Sequence, residues 1–183
     1  VVKRTAFFRI KVICYSIFLI RGEHLKLSKN FWLKEFVPRE IYEKFGTKAI
    51  WFVDPKLIEA VQNFRDGLGE VLFINTWHLD LPQSYNYSGF RPPDCKIGAS
   101  LSQHRFGRGA DIKTMKILEL KDLNKNKDIA IFEMLDESRR IRNFIRDKYT
   151  DLGITTIEKN TPSWVHIDIR PTLGESLLEV PYK

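Results

Sequence analysis

The chain has 183 residues, 30 Lys+Arg against 23 Asp+Glu and a formal net charge of +7, with 43% hydrophobic and 13% aromatic residues. That length fits one core better than two domains, and the apolar content excludes disorder for most of the chain. Residues 1–25 hold a net +4 and the other 158 only +3, so no basic face is expected on the folded surface and nucleic-acid binding is not expected.

Residues 12–20 (VICYSIFLI) are apolar but number only nine, far short of the roughly 20 that cross a bilayer, so no membrane span is expected. They read as a hydrophobic strand or flap, or as the remnant of a secretory signal. Two cysteines, Cys14 and Cys95, allow at most one bridge and no thiolate metal cluster. Residues 1–26 are read as a basic, apolar extension and 27–183 as one domain.

Asp54-Pro55 opens a helix, because Asp caps free N–H groups and Pro at the first position gives up an N–H that would be unpaired anyway. Leu57, Val61, Phe64 and Leu68 form its apolar stripe, and Gly67 and Gly69 are expected to end it. Residues 71–77 (VLFINTW) predict a buried strand. Residues 78–101, rich in Pro, Gly, Ser, Asn and Asp, predict a long functional loop. A second helix is expected over 128–148, with Ile131, Met134, Leu135, Ile141 and Ile145 inward and Arg139, Arg140 and Arg146 on a solvated face; Gly153 ends that stretch. The last strand, 163–170, alternates: Val165, Ile167 and Ile169 point one way, and Trp164, His166, Asp168 and Arg170 the other. The expected fold class is α+β, with helices packed on a small, mostly antiparallel sheet that has one open face.

Chemistry concentrates in SQHRFGRGAD (residues 102–111) and WVHID (164–168). Two imidazoles and a carboxylate satisfy a catalytic zinc site, which uses three nitrogen and oxygen ligands and keeps a fourth position open. Gly107 and Gly109 favour a turn that brings His104 and Asp111 to one point. His24 and His78 have no such company and read as structural or exposed.

The first stretch resembles the Ser-x-His-x-x-Gly-x-Ala-x-Asp signature of the D-Ala-D-Ala carboxypeptidase and L-alanyl-D-glutamate endopeptidase group of zinc peptidases, which has phage endolysin-like members. WVHID resembles their distal His motif, Tyr87-Ser88-Gly89-Phe90-Arg91-Pro92 their Ser-Gly-Tyr-Arg-Ser segment, and Leu27-Ser28-Lys29-Asn30-Phe31 with Lys34-Glu35-Phe36 their N-terminal stretch, so the similarity spans residues 27–170. It implies His104, Asp111 and His166 as ligands of Zn2+, and Arg91 as a catalytic cation at the substrate carbonyl. It also implies Ser102 and Trp164 as substrate-binding residues.

Two positions depart from the pattern. Gly109 replaces Ala, and Ser163 stands where several relatives carry the acidic general base three residues before the last His. Serine cannot take and return a proton at neutral pH. Glu158, in a loop expected before the strand, is preferred as base, with Asp168 as support for His166. The resemblance thus implies a zinc metallopeptidase that hydrolyses peptide bonds of peptidoglycan at the bacterial cell wall, the metal activating water; a monomer is expected. The rivals are a non-catalytic zinc-binding module of a phage particle and, more weakly, a zinc nuclease.

Overall fold

The computed structural model describes residues 24–79, 84–122 and 126–182. The proposed strand or signal remnant at 12–20 and most of the 1–26 extension lie outside them. Among the described residues, five helices and a five-stranded sheet make an α+β fold.

The helices are α1 (Leu33–Phe36), α2 (Arg39–Phe45), α3 (Pro55–Leu68), α4 (Met115–Asp122) and α5 (Lys127–Leu152), with a 3-10 segment at Gly46–Phe52 and a 3-10 turn at Gln103–Phe106. The strands are β1 (Leu72–Phe73), β2 (Gly109–Thr114), β3 (Thr156–Lys159), β4 (Val165–Asp168) and β5 (Leu178–Pro181). Their order is β1-β2-β4-β3-β5, antiparallel except for the β3–β5 pair.

Register fixes which residues share a face. Ala110 pairs with Ile167 and Ile112 with Val165, and Ile157 also pairs with Ile167. All five are fully buried in the core with Leu57, Val61 and Phe64 of α3 and Ile141 and Ile145 of α5. On the opposite face, Asp111 pairs with His166, and Gly109 and Thr156 both pair with Asp168. One side of the sheet is therefore hydrocarbon, and the other is free to carry chemistry.

Local signals explain α3. The Asp54 side chain accepts from the Lys56 N–H at 3.0 Å, and Gly69, at φ +71°, caps the end. Gly67 does not end the helix. A Cβ there would lie 3.2 Å from the Phe144 ring of α5, and its absence lets Phe64 and Phe144 stack.

The expected strand over 71–77 shortens to Leu72–Phe73. Beyond Phe73 the backbone donors go elsewhere: Asn75 to the Glu35 carbonyl, Thr76 and Trp77 to the Tyr85 carbonyl. Helix α5 runs past the expected 148, to Leu152, before Gly153 stops it. Ile131 is 37% exposed, because the inward stripe runs through Ala130, Met134, Ser138, Ile141, Arg142 and Ile145. Nor is the helix's charged face wholly solvated, since Arg140 pairs with Glu70 and Glu137, and Arg146 with Glu179.

Candidate metal centre

The 3-10 turn carries His104, β2 carries Asp111 and β4 carries His166. Gly107 makes the return between the first two possible. It sits at φ +65°, and a Cβ there would come within 2.0 Å of the Phe52 carbonyl oxygen. The following backbone enters β2, whose pairing with β4 sets Asp111 beside His166. The three residues form a group that could hold a metal ion.

Tautomers follow from the outer partners. His104 Nδ1 lies 2.7 Å from the Gly89 carbonyl oxygen. A carbonyl only accepts, so Nδ1 carries the hydrogen and Nε2 keeps its lone pair. His166 Nε2 lies 3.2 Å from Asp168 Oδ2, a carboxylate that also receives the Arg170 guanidinium. In the neutral ring Nε2 is thus the donor and the lone pair of His166 sits on Nδ1.

Three acceptors then converge: His104 Nε2 to His166 Nδ1 at 3.1 Å, His166 Nδ1 to Asp111 Oδ1 at 3.0 Å and His104 Nε2 to Asp111 Oδ1 at 3.2 Å. Facing lone pairs repel unless a cation lies among them. A tetrahedral ion with bonds of about 2.0–2.1 Å separates its ligand atoms by about 3.3–3.4 Å. The triangle needs to expand by only a few tenths of an ångström to fit one.

Protonation gives the same answer from the other side. Burial lowers the pKa of His104, although the Asp111 charge opposes that. Burial also disfavours charge on His166, yet its hydrogen bonds to Asp111 and Asp168 prevail and raise its pKa to about 9. Asp111 is held well below the usual carboxylate range, its two histidines outweighing the cost of burial. Asp168 is lowered in the same way by His166 and Arg170. The raised pKa of His166 means that a positive charge is favoured among these three groups.

Arg91 reaches the site but faces a ligand. Its Nη2 donates to Asp111 Oδ2 at 2.6 Å and its Nε to the Tyr87 carbonyl at 2.7 Å, and the residue is 8% exposed. It therefore holds the outer oxygen of Asp111, so that Oδ1 points at the histidines. Residues 88–91 are themselves pinned on three sides, with Phe90 N–H donating to the Phe36 carbonyl, Arg91 N–H to the His104 carbonyl and Asp111 N–H to the Ser88 carbonyl.

Glu158 lies on β3, not in a loop. The pairing runs Thr156 to Asp168 and Ile157 to Ile167, and strand alternation turns Glu158 to the face that carries Thr156 and Asp168. Burial raises its pKa, while the His166 charge opposes. A half-buried carboxyl with a raised pKa beside a metal group suits proton transfer.

Asp168, on β4 with His166, accepts from its Nε2 at 3.2 Å. Trp164 is half-buried against Tyr182. Ser102 shapes the loop instead, its N–H donating to Ala99 and its carbonyl accepting from Arg105. His78 is half-buried, and neither ring nitrogen has a hydrogen-bond partner among the described residues.

Three contributors escaped the sequence reading. The Gly89 carbonyl sets the His104 tautomer. Arg170 clamps Asp168, and strand alternation had already placed it on the site face without giving it a role. Lys113 is buried on β2, with Nζ 3.0 Å from Ser88 Oγ and 4.2 Å from the Tyr85 ring centroid, and burial lowers its pKa to about 8. It braces the segment that lies over Asp111, and no spacing rule marks it. A separate groove of about 600 Å3, lined by Phe45, Phe52, Tyr87, Phe90 and Ile97 among others, contains none of the three candidate ligands.

No described helix is long and apolar enough to cross a membrane. The chain matches no family model, no curated protein and no solved structure.

Proposed function

We propose that the chain is a zinc-dependent peptidase that hydrolyses peptide bonds of bacterial peptidoglycan, acting at the cell wall. The observation that carries the reading is the convergence of His104 Nε2, His166 Nδ1 and Asp111 Oδ1, each lone pair aimed inward by an outer hydrogen bond. Two nitrogens and one oxygen without a thiolate match the ligand type of a catalytic zinc site, not of a closed structural one. When bound, zinc supplies a Lewis acid that makes water nucleophilic near neutral pH.

The chain's own groups take the remaining roles. Glu158 is the general base, receiving a proton from water and returning it to the leaving amine. Asp168 orients His166. Arg91 spends one N–H on Asp111 and one on Tyr87, out of the five a guanidinium carries. Its charge also stabilises the oxyanion that develops on the substrate carbonyl. The substrate class rests on the resemblance of residues 27–170 to the peptidoglycan peptidases.

The test compares the purified protein with and without added zinc on isolated peptidoglycan, scoring new free amino groups. Release that stops on chelation supports the peptidase. Bound zinc without release supports the second reading, a non-catalytic metal module, which the buried Ser163 in place of an acid favours.

A further inference from the structure

Exposed carbon gathers at the edge of the molecule that holds the separate groove. The 3-10 segment at Gly46–Phe52 supplies Trp51, which is 80% exposed. The loop after Arg91 supplies Ile97 and Leu101, at 49% and 77%, and the turn that carries His104 supplies Phe106, at 54%.

Short contacts bring these segments together. Phe45 and Phe52 meet edge to face with ring centroids 5.1 Å apart, and Phe45 and Ile97 line the same groove. Gly107, next to Phe106, packs directly on the Phe52 carbonyl, and its own carbonyl accepts from the Asp54 N–H at 3.0 Å. Arg105, on the other side of Phe106, donates to the Cys95 carbonyl at 2.6 Å and to the Pro93 and Ala99 carbonyls. The loop is thus wrapped on the turn that presents Phe106.

Charge is local as well. Lys44, Lys48 and Lys96 are exposed at this edge and Arg105 is half-buried, against the acids Glu40 and Asp94. The neighbouring Arg39–Glu43 and Arg108–Asp54 pairs neutralise themselves. A net charge of only +3 over residues 26–183 hides this local excess. Single exposed apolar residues need no explanation, but a group of them marks a contact surface. Lysine is depleted in protein–protein contacts, whereas apolar side chains beside lysines suit a boundary of hydrocarbon and anionic head groups. Tryptophan favours that boundary, its ring being apolar and its N–H polar.

We propose that this edge docks on an anionic lipid surface. Trp51, Leu101 and Phe106 enter the head-group boundary, and Lys44, Lys48 and Lys96 stay at its level. His104 lies two residues from Phe106, so docking holds the metal centre near the lipid. It requires neither metal nor hydrolysis, and so stands apart from the peptidase reading.

The test sediments the full chain with vesicles of phosphatidylcholine, with and without phosphatidylglycerol. Binding is expected only with the anionic vesicles. Trp51→Ser or Phe106→Ser should weaken it about 5–20-fold, and Lys48→Gln about fivefold, with circular dichroism unchanged. Residues 1–25 are themselves basic and apolar, so the deciding readout is local: brominated lipid should quench the part of the fluorescence that Trp51→Phe removes. Binding without quenching of Trp51, or no binding to anionic vesicles, overturns the proposal. A concentration-dependent dimer that Trp51→Ser abolishes would also overturn it, by making the edge a contact between copies of the chain.

Discussion

Asp168→Asn tests how the second histidine is prepared for metal. Asp168 is fully buried. Its Oδ1 accepts from the Arg170 backbone N–H at 3.1 Å and from Arg170 Nε at 2.9 Å, while its Oδ2 accepts from Arg170 Nε at 3.1 Å, from Arg170 Nη2 and from His166 Nε2 at 3.2 Å. In the variant a neutral amide offers one oxygen to donors that share two in the wild type, so either Arg170 or His166 loses an acceptor, and the charge that fixes the imidazole hydrogen on Nε2 is gone. Loss of an outer partner of a metal-bound histidine costs about 10–100-fold in affinity, or about 1.4–2.8 kcal/mol. Competition with a chromogenic chelator at neutral pH measures the loss, and circular dichroism checks the fold. A folded variant whose zinc affinity stays within about threefold of wild type would refute the argument that Asp168 prepares His166.

Other perturbations separate the remaining roles. Glu158→Gln should lower kcat by about 10²–10⁴-fold with zinc stoichiometry unchanged; loss of zinc instead would make Glu158 a metal-retention residue. Zinc must displace the His166 proton, so apparent affinity should rise about tenfold per pH unit up to about pH 9 and level off above it, with one proton released per zinc in calorimetry at neutral pH. In the chelated protein, the fold favours protonated His166. Stability should therefore fall as pH rises from its ordinary value of 6.5 to about 9, and denaturant titrations across that window read the slope. Gly89→Ala would set a Cβ 2.2 Å from the Phe36 carbonyl oxygen. It should cost about 1–3 kcal/mol, seen as a lowered Tm, and should weaken metal retention because the Gly89 carbonyl anchors His104.

What the sequence disclosed was governed by short-range chemistry. Asp54-Pro55 and Gly153 work through their own neighbours, so the start of α3 and the end of α5 were readable. His104 and Asp111 were readable as a pair because one turn sets their spacing, whereas His166 reaches them only through the pairing of β2 with β4. The failures share a cause. Residues 74–77 look like strand, but their N–H groups find the Glu35 and Tyr85 carbonyls, partners that no local pattern reveals. Gly67 reads as a helix stop, yet its role is to admit Phe144 from a helix that begins about 60 residues later. Arg142 sits on a helix that reads as solvated on its charged side, yet it is buried against the Thr161 carbonyl and hydroxyl.

Under the proposed mechanism, Glu158 is a base that has moved along the chain while keeping its place in space. The resemblance puts an acid three residues before His166, at a position here held by buried Ser163. An antiparallel pair offers a second route to the same neighbourhood, because the residue across from His166 on the adjacent strand projects from the same face. Alternation along β3, from Thr156 opposite Asp168, puts Glu158 on that face. The charge of His166 lowers the pKa of Glu158, whereas those of Asp111 and Asp168 raise it, so the carboxyl lies within electrostatic reach of all three. Pinning of the 160–164 connection supports the register, since Arg142 donates to the Thr161 carbonyl at 3.2 Å and Ser138 to the Pro162 carbonyl at 3.4 Å. If Glu158 is the base, Arg142→Met should lower kcat about as much as it shifts that register while leaving zinc bound. Restoring an acid at the old position, Ser163→Glu, should then recover turnover in Glu158→Gln. Failure of that rescue in a folded, zinc-loaded double variant would mean that the two positions are not equivalent.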